Sequence, residues 1–306
     1  MVTTSPRLAL ALVTLGLAAG CTAPERGSWW YRHPGAGDLF GIEEVFQGTG
    51  SLTTTQVADA AVTCGLTRLY GSYGPMTGTP SANQVAAFNV ELHDRGIRSS
   101  FLFSDSSYLT NPSSLYAAVT DRVVNFNAAR SDVNEHFDAV HLDVEPVDFP
   151  ACKQASLDPA ACHGVVEEWR FLVADVREIL AGAEPPIELE VDMHEWLDVT
   201  PGGRVGWPAD PTPEAARDDF FVGLDVYPQH FTVMTYDHTT PADVWNALAY
   251  EEAELTKEVR AGLNLDAATS FPDVPSLLAG AVGVEVGYGV DTDLHDLNQI
   301  LAAGGC

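Results

Sequence analysis

Three ionisable side chains alternate along one otherwise apolar stretch of the chain. Residues 138–146 read DAVHLDVEP, so His141, Asp143 and Glu145 occupy every second position. Successive side chains of a β-strand point to opposite faces, so these three groups share one face and the apolar residues between them share the other. Neighbouring carboxyl groups do not ionise independently, so beside an ionised Asp143 we expect Glu145 to stay protonated near neutral pH. A carboxyl group in that state is suited to general acid catalysis.

A second strand-like stretch shows a similar alternation. Residues 188–196 read ELEVDMHEW, which places Glu190, Asp192 and His194 on one face. We expect Asp192 and His194, near the end of this strand, to contact a substrate. Trp196 follows in a loop, where its ring offers a flat apolar surface to a sugar. Tyr70, at the end of an earlier strand, is a further candidate for substrate contact.

The elements that must position these groups alternate along the chain. Apolar runs predict eight strands, and amphipathic segments predict helices between them. Alternating strands and helices indicate parallel pairing, and eight of each favour a single-domain α/β fold, the (β/α)₈ (TIM) barrel. In such a barrel, catalytic groups lie at the C-terminal ends of the strands. The predicted strands cover residues 40–46, 67–72, 98–103, 139–144, 187–193, 231–236, 260–265 and 284–288.

The strand segment around Glu145 resembles a known signature. In glycoside hydrolase family 18, the chitinase-like barrels, the fourth strand carries Asp-Gly-x-Asp-x-Asp-x-Glu. Asp138, Asp143 and Glu145 match the first Asp, the third Asp and the Glu. Ala139 replaces the Gly, and His141 replaces the middle Asp, which alters the proton-sharing partner of Asp143.

Two further segments resemble the same family in the same order. Residues 234–237, MTYD, match its Met-x-Tyr-Asp at the end of the sixth strand, and residues 283–293 are similar to its last-strand segment. The resemblance implies that Glu145 protonates the glycosidic oxygen. It also implies that Asp143 orients, and Tyr236 hydrogen-bonds, an acetamido group of the substrate that acts as the nucleophile, unlike the usual two-carboxylate scheme. The substrate contacts it implies are Asp138, His141, Met234, Asp237 and Tyr288, the last at the place of a Trp that forms the floor of the sugar site.

Three alternatives remain open at this point. Glu285, in a Glu-x-Gly sequence, would pair with Glu145 in an ordinary retaining mechanism, although strand parity points it away from Tyr288. A divalent metal on His141, Asp143 and Glu145 is a second reading, but no comparable second cluster of ligands is seen, so we expect no metal and no cofactor. The third is a glycan-binding barrel that has lost catalysis, because Tyr288 and His141 depart from the family pattern.

The charge of the chain excludes some partners. The 306 residues carry 43 Asp and Glu against 15 Lys and Arg, a formal net charge of −28. Such a chain repels phosphate, which argues against nucleic-acid binding and against an electrostatic membrane contact. The family-18 resemblance implies a carbohydrate as the partner, and we expect the protein to be a monomer.

The N-terminus and the cysteines indicate export. Residues 1–20 combine one Arg with an apolar run too short to span a membrane comfortably, which is typical of a signal peptide. Residues 17–21, LAAGC, resemble a bacterial lipobox, which implies lipidation of Cys21 and anchoring on the outer face of the cell membrane, with secretion as the alternative. Residues 21–38 are predicted to be a tether and residues 39–306 the barrel.

Four other cysteines remain for pairing once Cys21 is set aside. Cys152 and Cys162 bracket a short loop, so their pairing is the simplest choice. Cys64 and Cys306 would then form the second disulfide, which joins the first predicted helix to the C-terminus. In a closed barrel those two places are neighbours, so this connectivity is a test of the fold.

Overall fold

The computed structural model describes residues 24–32, 39–266 and 268–306 and shows a closed barrel of eight parallel strands. Each strand pairs with the next along the chain, and β8 closes the barrel against β1. The predicted (β/α)₈ barrel is therefore confirmed. The strands are β1 (Arg26–Trp30), β2 (Arg68–Gly71), β3 (Arg98–Phe103), β4 (Ala139–Leu142), β5 (Glu188–His194), β6 (His230–Met234), β7 (Glu258–Asn264) and β8 (Asp291–His295).

Ten α-helices lie among the described residues, and most begin at a side chain that caps the first turn. Thr53 and Ser81 form capping boxes with Gln56 and Gln84, as expected where sequence places Ser or Thr three residues before Gln. The helices are α1 (Ile42–Gln47), α2 (Thr54–Thr63), α3 (Ala82–His93), α4 (Pro112–Val119), α5 (Asn125–Ala128), α6 (Pro159–Ala181), α7 (Pro213–Asp225), α8 (Pro241–Glu254), α9 (Val274–Tyr288) and α10 (Leu297–Ala302). A π-helical turn, Thr120–Val124, joins α4 to α5.

The first and last predicted strands are wrong. Residues 40–46 contain α1, whose buried Ile42, Val45 and Phe46 follow helical rather than strand spacing. The true β1 lies within residues 21–38, so the barrel begins before the predicted boundary at 39. Residues 284–288 form the last turns of α9, which starts at the capping residue Asp273, and β8 follows it.

The two faces of each strand serve different layers. On β4 and β5 the apolar residues Val140, Leu142, Leu189 and Val191 pack outward in the main hydrophobic core beneath the helices. The alternate residues point into the barrel, where polar and charged side chains fill much of the interior. The predicted parity of both strands is therefore confirmed, and it delivers several ionisable groups to the barrel axis.

Both predicted disulfides are formed. Cys64 pairs with Cys306 across 242 residues, and Cys152, in the loop after β4, pairs with Cys162 in the first turn of α6 across 10 residues. The first ties the end of α2 to the C-terminus, which the closed barrel places side by side. Within the described residues, no helix has the length and apolar character needed to cross a membrane. The predicted signal segment 1–20 and Cys21 lie outside the described residues.

Candidate active site

The mouth of the barrel, at the C-terminal ends of the strands, brings Glu145 and His194 together. Glu145 follows β4 and begins the short turn Pro146–Asp148, while His194 is the last residue of β5. His194 Nε2 lies 2.9 Å from Glu145 Oε2, and the Glu145 side chain is 32% exposed. The His194 ring stacks on Trp196 at 5.0 Å between centroids. A partly exposed carboxyl group, in contact with one histidine and open to the mouth, is placed to reach a ligand.

Asp143 lies deeper than Glu145 and is almost fully buried. Its Oδ2 accepts a hydrogen bond of 3.2 Å from the Tyr31 hydroxyl, which enters the mouth just after β1. Burial raises the pKa of Asp143 well above its usual range, and the nearby charges of Asp192 and Glu145 add to that effect. This shift favours the protonated form of Asp143, the opposite of the direction expected from the sequence.

His141 forms a charged network in the barrel interior. Its Nε2 lies 2.8 Å from Asp192 Oδ1 and its Nδ1 lies 3.3 Å from Glu190 Oε2. Although burial lowers it, these two carboxylates raise the pKa of His141 to about 10, so the ring carries a positive charge at neutral pH. Trp29 donates from Nε1 to the other oxygen of Asp192 at 2.9 Å. His141 therefore acts below the site, as a buried support of Asp192, and does not touch the mouth.

Aromatic rings surround the carboxyl groups at the mouth. Tyr236, just after β6, packs its ring 5.0 Å from His295 at the end of β8, and Tyr31 lies 5.5 Å from the same imidazole. After burial, the charges of Asp192, Asp143 and Glu145 are the main causes that raise the pKa of Tyr236, which places its hydroxyl among these acids. The phenol is therefore neutral and able to donate a hydrogen bond to a ligand.

The remaining predicted residues near β6 are also at this end of the barrel. Met234 pairs in register with His194 of β5 and with Gly262 of β7, and it is buried inside the mouth. Asp237 is exposed beyond Tyr236. The structure thus brings together Glu145, Asp143, Tyr236, Asp192, His194, Trp196, Met234 and Asp237 at or near the mouth.

Tyr70 does not line the mouth, contrary to prediction. It is fully buried inside the barrel, where its ring stacks on His141 at 3.9 Å and its hydroxyl donates to Asp293 Oδ1 at 2.9 Å. Thr232 donates to the other oxygen of Asp293 at 2.7 Å. Strand β2 ends one residue after Tyr70, so the side chain lies one layer below the rim. Its role is to fill and hydrogen-bond the interior beneath the site.

Two other predicted substrate contacts lie away from the mouth. Asp138 precedes β4 at the opposite end of the barrel, where it accepts from Ser99 N at 2.7 Å and contacts His93 Nε2 at 2.9 Å. Tyr288 ends α9 on the outer surface, with its ring stacked on Trp245 at 5.2 Å. Both predictions are wrong. Asp138, which matches the first Asp of the signature, lies at the N-terminal end of β4, and Tyr288 belongs to a helix and not to the last strand.

Glu285 is also remote from Glu145. It lies on α9, accepts a 2.7 Å bond from Arg26 Nη2 and accepts a second hydrogen bond from Thr292. The alternative of an ordinary retaining pair between Glu145 and Glu285 is therefore wrong. The structural role of Glu285 is to tie α9 to β1 and β8.

Among the described residues, two groups have the spacing of metal ligands. One is His141, Glu190 and His230 in the interior, and the other is Glu25, Glu258 and Asp291 at the bottom of the barrel. In both groups, the carboxylates already form ion pairs with guanidinium groups. Arg68 donates to Glu190 Oε1 at 2.7 Å, and Arg260 lies within 3.7 Å of each acid of the second group. A dication would have to compete with these charges. The alternative metal set of His141, Asp143 and Glu145 is split, because His141 faces Asp192 and Glu190 below.

Sequence reasoning missed the contribution of β1 and β8. Trp29 and Tyr31 each hydrogen-bond a site carboxyl group, and His295 packs against three aromatic rings at the mouth. The run of aromatic residues Trp29, Trp30 and Tyr31, which favour strands, was the available signal. It lay in a segment interpreted as a tether.

Comparisons with known proteins show the fold. No model of a known protein family matches the chain, and no curated protein matches its sequence. Among solved structures, a β-mannanase from the blue mussel Mytilus edulis is similar over 90% of this chain and 87% of that one, with a TM-score of 0.51 and 10% identity. A β-glucosidase from Thermotoga maritima in complex with castanospermine covers 89% and 87%, with a TM-score of 0.49 and 8% identity. The mussel enzyme's likeness supports the barrel fold, and the family-18 resemblance stays a prediction.

Proposed function

We propose that the protein hydrolyses glycosidic bonds in a glycan bearing N-acetyl groups, with Glu145 as the general acid. The observation that carries this proposal is the arrangement of acids at the mouth. Glu145 is partly exposed and lies 2.9 Å from His194, while Asp143 is buried beside it and accepts a hydrogen bond from Tyr31. Two carboxyl groups in such different environments are suited to different roles in one reaction.

The reaction requires one proton transfer and one internal nucleophile. Glu145 gives its proton to the glycosidic oxygen as the bond between that oxygen and the anomeric carbon breaks. The carbonyl oxygen of the substrate's own acetamido group forms a bond to the anomeric carbon. Water then attacks that carbon, the bond between the acetamido oxygen and the anomeric carbon breaks, and a proton of the water returns to Glu145. Asp143 accepts from the acetamido N–H through its carbonyl oxygen, and Tyr236 donates to the acetamido oxygen.

This scheme accounts for the absence of a Glu145–Glu285 pair, because it uses no carboxylate nucleophile. The raised pKa of Asp143 agrees with this scheme. A negative charge on Asp143 would oppose formation of the Glu145 carboxylate when Glu145 loses its proton. Neutral Asp143 and Tyr236 can position a neutral acetamido group without that repulsion.

The test compares the domain from residue 22 onward with its Glu145→Gln variant on aryl glycosides and natural oligosaccharides, with and without N-acetyl groups. General acid catalysis is worth about 10²–10⁴ in rate, so kcat on natural oligosaccharides should fall by that factor. Aryl glycosides with an acidic phenol leaving group need less protonation and should lose less. The exposed Asp94→Asn variant, on the far side of α3, should keep the parent rates.

Three outcomes would contradict all or part of the proposal. Equal turnover by the Glu145→Gln variant on every substrate would exclude Glu145 as the acid. Glycan binding by the parent domain without turnover would favour the non-catalytic glycan-binding barrel. Hydrolysis restricted to glycans that lack N-acetyl groups would support Glu145 as the acid but exclude an acetamido group as the nucleophile.

We also propose that the protein is exported and held on the outer face of the membrane by lipid on Cys21, and that it acts as a monomer. The two disulfides support export, because disulfides persist in oxidising compartments. Expression of the full chain in bacteria with a radiolabelled fatty acid should label the parent and leave Cys21→Ser unlabelled. Label retained by the variant would exclude this anchor, and a dimer mass for the domain from residue 22 in sedimentation would exclude the monomer.

A further inference from the structure

A cavity lies beside the mouth of the barrel, between the loop after β5 and the start of α8. Its volume is about 410 Å³, which falls in the range of small-ligand sites. Its polar and aromatic lining consists of Glu195, Trp196, Asp198, His238, Asp243 and Asn246. Trp196 and Glu195 directly follow His194 in the chain. We call this cavity the β5–α8 pocket.

Side-chain contacts connect the lining of the β5–α8 pocket to the candidate acid. Trp196 lines the pocket and stacks on His194, whose Nε2 lies 2.9 Å from Glu145. A chain of sugars bound at Glu145 can therefore extend past the His194 ring into the pocket without leaving the surface of the barrel mouth.

The lining offers the polar groups that sugar hydroxyls need. Glu195, Asp198 and Asp243 are hydrogen-bond acceptors, while the side-chain amide of Asn246 both donates and accepts. The lining is partly ordered in advance, because His238 Nε2 lies 2.7 Å from Glu195 Oε2. Aspartate, glutamate and asparagine side chains beside an indole form a surface that a polyhydroxylated ring matches by many hydrogen bonds.

A buried acid behind the pocket adds a second observation. Glu251 lies on α8 one turn beyond the lining residue Ala247, it is fully buried, and neither carboxylate oxygen has a hydrogen-bond partner. Burial and the charges of Asp198 and Glu195 raise the pKa of Glu251 well above its usual range. Burial, with the charge of Glu195, also raises the pKa of Asp198 to about 6. Negative charge is therefore crowded at this wall.

The charge of Arg217 lowers the pKa values of Asp198 and Glu251 but offsets the crowding only in part, because both remain raised. Arg217 donates through two nitrogens to Asp218 and through the third to the Asp198 carbonyl. Arg204 lies over the Trp196 ring at 5.0 Å. A ligand that brought its own carboxylate would add to the repulsion among Glu195, Asp198 and Asp243, whereas hydroxyl or ammonium groups would relieve it.

We propose that the β5–α8 pocket is a second sugar subsite, which binds a further neutral or amino-bearing unit of an oligosaccharide and rejects uronic acids. The inference rests on the proposed function for the position of the first sugar at Glu145. It makes the substrate an oligosaccharide or polysaccharide and excludes polyuronates as a class.

The test measures binding separately from catalysis. The Glu145→Gln domain is titrated by calorimetry with neutral oligosaccharides of two and four units, namely N-acetylglucosamine, glucose and mannose oligomers, and with hyaluronan oligosaccharides as uronate probes. The tetramer of the accepted series should bind at least tenfold more tightly than its dimer. Asp243→Asn and Asn246→Ala, each added to Glu145→Gln, should reduce that gain to less than threefold and leave dimer affinity unchanged. Asp94→Asn, added in the same way, should change neither.

Each outcome separates the subsite from the catalytic proposal. If the pocket variants lose the affinity gain of the tetramer over the dimer, while the parent domain cleaves no glycan, the subsite is supported and the glycosidase activity is rejected. If the parent domain cleaves glycans but the tetramer binds no more tightly than the dimer, the glycosidase activity is supported and the subsite is rejected. Failure of every neutral oligomer to bind, or binding of hyaluronan oligosaccharides as tight as that of the neutral series, would overturn the inference.

Discussion

Replacement of the buried His141 should change both the stability of the barrel and its dependence on pH. The imidazole lies 2.8 Å from Asp192 and 3.3 Å from Glu190, and its pKa is raised to about 10. Relative to an unfolded histidine near 6.5, this pKa corresponds to on the order of 5 kcal/mol of folding free energy. His141→Gln removes that charge and leaves buried carboxylates facing a neutral amide, so we expect a loss of about 3–5 kcal/mol at pH 7.

The pH dependence follows from the direction of the shift. Because the pKa of His141 is higher in the folded state, its contribution is complete below pH 6.5 and is lost as the pH rises towards 10. The free energy of unfolding should therefore fall with a slope that approaches 1.4 kcal/mol per pH unit for this one proton. In His141→Gln the slope between pH 8 and 9.5 should be much smaller. The raised pKa of Asp192 acts in the same direction from about pH 4 upward.

The measurement is urea unfolding of the domain from residue 22, followed by tryptophan fluorescence from pH 6 to 9.5 without reductant. His93→Gln is the matched control, because His93 also pairs with a carboxylate, Asp138, but lies outside the site. That control should keep the steep slope above pH 8. An unchanged slope in His141→Gln, or a slope abolished equally by both variants, would refute the assignment of a charged His141.

Two further perturbations test contacts that the structure adds to the site. Tyr31→Phe removes the hydroxyl that donates to Asp143, so kcat should fall about fivefold to thirtyfold, equivalent to about 1–2 kcal/mol, with KM little changed; equal kcat in parent and variant would exclude this role. Cys306→Ser opens a loop of some 240 residues and should cost about 5 kcal/mol, against about 3 kcal/mol for Cys162→Ser, in thermal unfolding compared with the intact protein; a larger loss for Cys162→Ser would contradict the loop-length argument.

Strands in the middle of the chain, such as β4 and β5, were predictable because the residue types on both of their faces indicate a strand. In β4 the apolar Val140 and Leu142 face the helices, and the alternating ionisable residues face the axis. That contrast sets the register within one residue, since a slip would bury the charges beneath the helices. The same reasoning placed β5 and predicted the inward direction of His194, which the structure places beside Glu145.

The first and last strands along the chain, β1 and β8, were not predicted, and the reason is physical. Strand β8 reads DTDLH, and its inward residue Asp293 is satisfied only by Tyr70, Thr232 and Arg260 from other strands. Without those partners such a sequence is typical of a loop. The valines of α9 compete with it, because β-branched residues favour strands locally, and only the packing of the whole barrel makes them helical.

The exchange of a signature Asp for His141 is balanced within the same site. The family-18 signature that this segment resembles has an acid at that position on the same strand as Asp143. Here a cation occupies the position, and Asp192 from the neighbouring strand holds two partners, His141 and Trp29, at its two oxygens. After burial, Asp192 is also the largest cause of the raised pKa of Asp143. A carboxyl pair therefore persists across β4 and β5, with the charge of His141 offsetting the added acid. The presence of His141 in place of the signature Asp does not by itself argue against catalysis, because the raised pKa of Asp143 depends on Asp192 from β5.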